Sequence, residues 1–437
     1  MLKITRISLL LLIITIKQSF AISLIRDSQT EIFLKNISTP IFKAANLNSD
    51  IKIHIINDNS INAFVTNGNN IFINTGTITY SDNPLGLIGV IAHETGHITG
   101  NHIAKINIDM QEINKKMALG YILGLATAIG GNIEAGQAIM LGNNHIAERN
   151  FFKYSVKHEE SADETALMLL DKCQISSVGL LNFFKKIRNQ EKIYSETINP
   201  FTRTHPLSSN RISRIEKHIK ESPFSTKKLN AKIYSEYQII KAKLEAFLGN
   251  PEEILVKYNQ DTEQALIARI IAHHRLGESN KSLKLFEKTN QKNPYIKELK
   301  GQILYESGQA KKSVEIFLNL TKKLPNDPLL KIELAGAVIS AKSTKNYQRA
   351  IDELNKSILF EKENVMAWEF LAKLYHHTNN KLMSFYALAE SSFHKNNFNL
   401  SIKYANKAKE LLKNDSNPNL LLKIEELIKV NNKKIKE

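Results

Sequence analysis

One stretch, VIAHETGHITGNHIAK at residues 90–105, constrains this chain more than any other. The run before its first histidine, LIGVIA, is apolar on most sides and reads as a buried helix. His93 and His97 are four residues apart, about 400° of helical turn, so their imidazoles stand one turn apart on one face. H-E-x-x-H on a helix is the spacing with which two histidines reach one zinc ion. Glu94 then lies beside the open coordination position. It can take the proton of the attacking water and pass it to the leaving amine.

Catalytic zinc needs a third protein ligand. One large protease class reads H-E-x-x-H-x-x-G-x-x-H. Gly100 fits that pattern, but the last position is Ile103, one residue past His102. On a continuing helix His102 falls five residues beyond His97, about 140° off the metal face, which makes it a surface histidine or one behind the ligands. A better source is YSVKHEESADETALMLL, where Glu159 and Asp163 lie one turn apart on a predicted helix. A carboxylate there completes a His2Glu set, and Asp163 can hold a ligand histidine by its second nitrogen. Spacing alone does not choose between Glu159 and Glu160. His205, in THPLSSNR, is by itself only a loop histidine.

The chain opens MLKITRISLLLLIITIKQSFA, a short basic region, an apolar run and a small-x-small end. This reads as a secretory leader cut after Ala21, with an uncleaved anchor as the alternative. IKIHIIN alternates as a strand, and NAFVTNGNNIFINTG reads as two strands around an Asn67–Gly68 turn. Beyond Pro84 the pattern turns helical. The glycine-rich residues 118–142 read as core helices or as a flap near the site. The polar KESPFSTKKL places a domain boundary near residue 225. Expected domains are therefore a leader at 1–21, a metallopeptidase domain at 22–225 and a helical repeat domain at 226–437.

That last part repeats. Gly277, Ser282, Phe286 and Pro294 recur 31 residues later as Gly308, Ser313, Phe317 and Pro325. Trp368, Leu371, Ala372 and Tyr375 fit the opening of a tetratricopeptide repeat. A single helix pair of this kind cannot bury its own face, so the pairs must stack. The one cysteine, Cys173, permits no internal disulfide and excludes a thiolate zinc site; it reads as a buried small side chain. The formal charge is +16, but no basic stripe interleaved with aromatics points to nucleic acid. A solvated basic face suited to peripheral contact with anionic lipid is the simpler reading.

HExxH followed by E-x-x-A-D resembles the HtpX and CAAX-prenyl-protease type of zinc metallopeptidases. Aligned on EESAD, the resemblance makes Glu159 the third ligand, and Tyr154 and Ser155 match as well; an arginine usual in the family is replaced by Val156. The segment INAFVTNGNNIFINTG is similar to the N-A-F segment before the family's zinc helix, although Thr66, Asn67 and Gly68 stand where a Pro-Gly-Gly-like turn is usual. THPLSSNR is similar to the family's H-P-x4-R segment. This implies that His205 sits by the zinc, as oxyanion stabiliser or removable fourth ligand, with Arg211 supporting that region or the oxyanion. The resemblance covers roughly residues 28–220. It implies an α+β, gluzincin-like domain of a small sheet and active-site helices, followed by an all-α superhelix of tetratricopeptide type, with one Zn2+ per chain. Leader, protease and repeats together resemble periplasmic proteases of outer-membrane protein quality control. Unfolded or misassembled proteins are then the substrates, and the outer-membrane assembly machinery a partner of the repeats. An extended substrate is expected to add along the Phe64–Ile73 edge. The competing expectation is a periplasmic chaperone or scaffold whose repeats carry the function and whose metal site is idle. A membrane-embedded prenyl-protein protease is disfavoured, because the chain lacks multiple spans.

Overall fold

Four short strands form one sheet in the order β1-β2-β4-β3: β1 (Leu24–Ile25), β2 (Lys52–Ile56), β3 (Ala63–Thr66) and β4 (Asn70–Asn74). The structure is a computed structural model that describes residues 23–47, 51–66, 69–102, 105, 156–193, 201–202, 205–412 and 417–436. The expected leader, the Asn67–Gly68 turn, segment 118–142 and the matches at Tyr154 and Ser155 lie outside the described residues. β2 and β4 run parallel; the other pairs are antiparallel. The two expected strands around residues 67–68 are thus a hairpin, but only β3 lies at the sheet edge. β4, with Ile73, is interior, so the expected edge narrows to Ala63–Thr66. Alternation along β4 buries Ile71 and Ile73 completely, and the helices pack on that face.

Helix α1 (Ser28–Ala44) starts at Asp27, whose carboxylate accepts from the Thr30 N–H. After β4 the chain turns through α2 (Thr75–Tyr80) into α3 (Pro84–Thr99), which carries the histidines. Asn83 caps α3 and Pro84 occupies its first turn, where no N–H is needed. α3 is buried at Pro84 and from Gly86 to His97, as its apolar sequence requires. Two glycines let neighbours close in. A Cβ on Gly89 would lie 2.7 Å from Leu180 Cβ, and one on Gly96 only 2.6 Å from the Ala162 carbonyl oxygen. Those neighbours belong to α5 (Val178–Ile193) and to α4, the helix over residues 156–172. Helix α6 (Ser209–Glu221) follows the His205 segment, capped by Ser208.

Helix α7 (Ala231–Leu248) is shared between two cores. Tyr237, Ile240 and Leu244 join the core of the sheet and α1–α6, whereas Ile239, Ala242 and Ala246 join the next one. The rest of the chain is helical: α8 (Pro251–Lys257), α9 (Glu263–Arg275), α10 (Ser279–Leu285), α11 (Pro294–Glu306), α12 (Ala310–Lys323), α13 (Pro328–Ser340), α14 (Tyr347–Phe360), α15 (Val365–His377), α16 (Lys381–His394), α17 (Phe398–Leu412) and α18 (Pro418–Lys436). Each packs mainly on its sequence neighbours. A serine hydroxyl repeatedly ties one helix to the carbonyl twelve residues earlier: Ser282 to Ile270, Ser313 to Gly301, Ser384 to Ala372 and Ser401 to Ala389. The turns use left-handed residues, Gly277 and Gly308 at φ 77° and 78°, and later Lys342, Asn379 and Asn396. That substitution hides the later periods from a reading keyed to glycine. Among the described residues no helix is long and apolar enough to cross a membrane.

The helical half is bolted to the first core by polar side chains. Arg26 pairs with Glu31 and Glu361, the Ser28 hydroxyl donates to Asp327, and buried Lys243 pairs with Asp27. Cys173 is half-buried rather than buried.

Candidate active site

Helix α3 sets His93 and His97 side by side, with their Nε2 atoms 3.1 Å apart. Because Gly96 has no side chain, α4 comes close enough for Glu159 to reach both. Its Oε2 lies 3.3 Å from His93 Nε2, and its Oε1 3.2 Å from His97 Nε2. His205 enters from the segment before α6. Its Nδ1 is 3.3 Å from His93 Nε2 and 3.1 Å from Glu159 Oε2. Glu160, the rival by spacing, turns outward to Arg214. The resemblance and the geometry therefore agree on Glu159.

These four donors are buried and are the one such cluster among the described residues able to hold a metal ion. Two ligand atoms about 2.0–2.2 Å from one zinc, at a tetrahedral angle, stand about 3.3–3.6 Å apart. The observed separations of 3.1–3.3 Å are close to that edge length. Three imidazole nitrogens converging with a carboxylate on one buried point form a donor set that suits a cation. The chain's residues thus fit zinc.

Glu94 supplies a second test. Its side chain is fully buried, and neither carboxylate oxygen has a hydrogen-bond partner. The nearest cationic candidate, His205 Nε2, is 3.5 Å from Oε1. An unpartnered buried carboxylate is costly, and here it sits directly beside the donor cluster.

Two layers of support lie behind the donors. His93 Nδ1 donates to Asp163 Oδ1 at 2.9 Å. Asp163 in turn accepts from Arg211 Nε at 2.6 Å and from a terminal nitrogen at 2.9 Å. The same guanidinium reaches Glu159 Oε2 at 3.0 Å and the Pro206 carbonyl at 2.9 Å, and it lies over the Phe184 ring. Arg211 therefore faces the carboxylates, not the space beside Glu94 where an oxyanion would form. Of the two roles expected of it, support of this region or of the oxyanion, the packing favours the first, because its donors are taken up by two buried carboxylates and the Pro206 carbonyl.

Electrostatics follow from this packing. Burial pushes the His93 ring down, but Asp163 and Glu159 outweigh it and raise it to about 10. Burial likewise opposes ionisation of Glu159 and Asp163. His205, His93 and His97 nevertheless hold Glu159 well below the carboxylate range, and Arg211 and His93 lower Asp163. His205 is raised despite burial, by Glu159 and Glu94. Its Nε2 donates to the Ala63 carbonyl oxygen at 3.0 Å, so in the neutral ring Nδ1 is the unprotonated nitrogen and faces the cluster.

His102 is not at the surface. It is buried, with Nδ1 3.0 Å from His97 Nδ1 and its ring stacked on His158. The helix does not run straight through: Gly100 ends it and Asn101 takes φ 50°, which folds His102 back behind His97. The adjacent Gly–Asn pair, a helix-ending signal, carried that information in the sequence. Ala63, whose carbonyl holds His205, was not foreseen, since a main-chain contact leaves no mark on residue type.

The profile described as "Peptidase family M48" matches residues 28–219. The chain is 22% identical over 381 residues to the beta-barrel assembly-enhancing protease of Escherichia coli (strain K12), covering 84% of this chain and 76% of that protein. It is 22% identical over 348 residues to the Yersinia pestis protein of the same description, covering 76% and 69%. The mitochondrial metalloendopeptidase OMA1 of Schizosaccharomyces pombe is 28% identical over 176 residues, covering 40% of this chain and 49% of that protein. Residues 28–219 are thus a peptidase family M48 domain, and the chain is a metalloprotease that uses zinc.

Proposed function

We propose that the chain is a zinc endopeptidase of the cell envelope that cleaves unfolded or misassembled outer-membrane proteins. The observation that carries the reading is the buried cluster of His93, His97, Glu159 and His205 with unpartnered Glu94 beside it. His93, His97 and Glu159 hold the metal, and His205 Nδ1 is the fourth donor of the resting site. Zinc held there supplies a Lewis acid that polarises a peptide carbonyl and makes water more acidic. Glu94 accepts the proton of the attacking water and delivers it to the leaving amine. Asp163 fixes the His93 ring, and Arg211 fixes Asp163 and Glu159.

Substrate adds as a strand along β3. Asn62 offers its carbonyl to Asn74 N–H, so alternation turns the N–H and C=O of Ala63 and Val65 away from β4. His205 occupies the Ala63 carbonyl, so a substrate strand and His205 compete for that atom. Main-chain recognition of this kind is loose in side-chain specificity. The domains are the leader at 1–21, the peptidase at 22–225 and a tetratricopeptide-type array at 226–437. The recurring serine ties support a repeating array. It docks substrate or the outer-membrane assembly machinery. The names of the bacterial relatives, and the leader-like opening of the chain, support a periplasmic place of action.

Glu94→Gln tests the reading. Cleavage of an unfolded β-barrel protein is expected to fall at least about 100-fold, with one zinc per chain retained. Full cleavage by that variant would remove Glu94 from the reaction. Lost cleavage with an unchanged cellular phenotype would favour the scaffold.

A further inference from the structure

His102 lies outside the donor cluster, yet three features hold its ring in one place. Gly100 makes room for it: a Cβ there would fall 2.2 Å from His102 Nε2. Asn101, at φ 50°, turns the chain so that the ring comes back over that glycine. The His158 ring covers it at 4.7 Å and 17° between planes. The ring so held presents Nδ1 at 3.0 Å from His97 Nδ1.

With His97 as a metal ligand, that contact has one consistent arrangement of hydrogens. His97 Nε2 faces His93 Nε2 and Glu159, so it is the nitrogen that must be bare. The His97 proton is then on Nδ1, and His102 Nδ1 must accept it with its lone pair. His93 is supported differently, by a carboxylate backed by a guanidinium. The two histidines of the motif therefore rest on unlike partners, one anionic and one an imidazole.

We propose that His102 is a positioning residue: it accepts the His97 Nδ1–H and so fixes the tautomer and ring plane that aim His97 Nε2 into the cluster. This rests on His97 being a metal ligand, as proposed above. A neutral acceptor donates less electron density through the ring than Asp163 does, so His97 is the weaker of the two imidazole donors. It is the one whose hold depends most on geometry.

Zinc affinity, measured by competition with a chromogenic chelator, tests this without reference to activity. His102→Phe keeps an aromatic ring against His158 but has no acceptor. His102→Gln restores an acceptor and loses the ring. His102→Phe is expected to bind zinc about 10–100-fold more weakly than the parent, and His102→Gln to recover to within a few-fold of it. Glu159→Ala, run alongside, gives the loss expected from removing a ligand. Parent affinity in His102→Phe overturns the proposal, because the acceptor is then unused. Equal weakening in both variants overturns it as well, because packing then explains the effect. A parent protein that binds no zinc overturns the ligand reading itself, and this inference with it.

Discussion

Arg211 Nε donates to Asp163 Oδ2 at 2.6 Å, while a terminal nitrogen of the same group lies 3.0 Å from Glu159 Oε2. One buried cation thus sets both the carboxylate behind His93 and the carboxylate in the donor cluster. The planar fork can do this; an ammonium cannot bridge the same two partners with the same geometry. Arg211→Met leaves two buried anions short of their cation. It is expected to cost about 3–5 kcal/mol in denaturant unfolding and to weaken zinc retention about 10–100-fold. Arg211→Lys should fall between. A Met variant with parental stability and full zinc but no cleavage would instead return Arg211 to the reacting atoms.

Gly96, inside the histidine motif, sets the distance between ligands on different helices. A Cβ there meets the Ala162 carbonyl oxygen at 2.6 Å and Ala162 Cα at 2.9 Å, both backbone atoms of α4. Neither can swing aside, so Gly96→Ala must move α4, and Glu159 with it, away from His93 and His97. Overpacking of this kind costs about 1–3 kcal/mol. The expected signature is loss of zinc greater than loss of stability, read by metal analysis beside thermal unfolding. Full zinc occupancy in the variant would show that α4 gives way without moving Glu159.

Much of this site was legible in the sequence, and the reason is periodicity. His93, Glu94 and His97 are fixed to one another by a single helix, and Glu159 to Asp163 by another. Which of Glu159 and Glu160 faces inward depends on how α4 is rotated against α3. That is a packing fact set by Gly96 and Ala162, so spacing left it open and only the resemblance chose. Of the two places open to His102, at the surface or behind the ligands, the structure takes the second, and it does so because Gly100 and Asn101 end the helix and fold the ring back. Arg211 was sensed near the site but not its direction, since Asp163 and Pro206 come to it from distant parts of the chain. In the helical half the 31-residue recurrence was visible where glycine marks the turn. It faded where Lys342 and Asn379 take the left-handed position instead.

Glu298 of α11 predicts a pH dependence at the junction of the two halves. It faces Asp27, Asp327, Glu333 and Lys243, and its Oε2 has no hydrogen-bond partner. Burial pushes its carboxyl up to about 8 from 4.5, with Lys243 opposing and Asp27 and Asp327 adding. Below about 4.5 both folded and unfolded chains hold this proton, and the group is neutral in its effect. As pH rises from there toward 8 the unfolded chain releases the proton and the folded one keeps it, so stability falls; above 8 the penalty is constant. Glu298→Gln removes the penalty. It should match the parent in unfolding near pH 4 and exceed it by roughly 1–3 kcal/mol above pH 7. Equal stability of both proteins across that range would mean that Lys243 already neutralises Glu298.

Val65 separates main-chain recognition of substrate from the integrity of the site. Its side chain is buried, while its N–H and C=O point from β3 to the open edge of the sheet. Proline is tolerated on an edge strand where the missing N–H faces outward, and its ring takes roughly the volume of valine. Val65→Pro therefore spares the β4 ladder, where Phe64 and Thr66 make the pairing contacts. It removes one donor to an incoming strand. One hydrogen bond is worth about 0.5–1.5 kcal/mol, so kcat/KM for an unfolded protein substrate should fall about 2–10-fold, carried mainly by KM, with zinc content unchanged. Proteins and short peptides should be affected alike if they all lie along β3, because the lost contact is to backbone and not to any side chain. A kcat/KM equal to the parent, in a variant that still binds zinc, would place the substrate away from this edge. The Ala63 carbonyl would then serve only to hold His205.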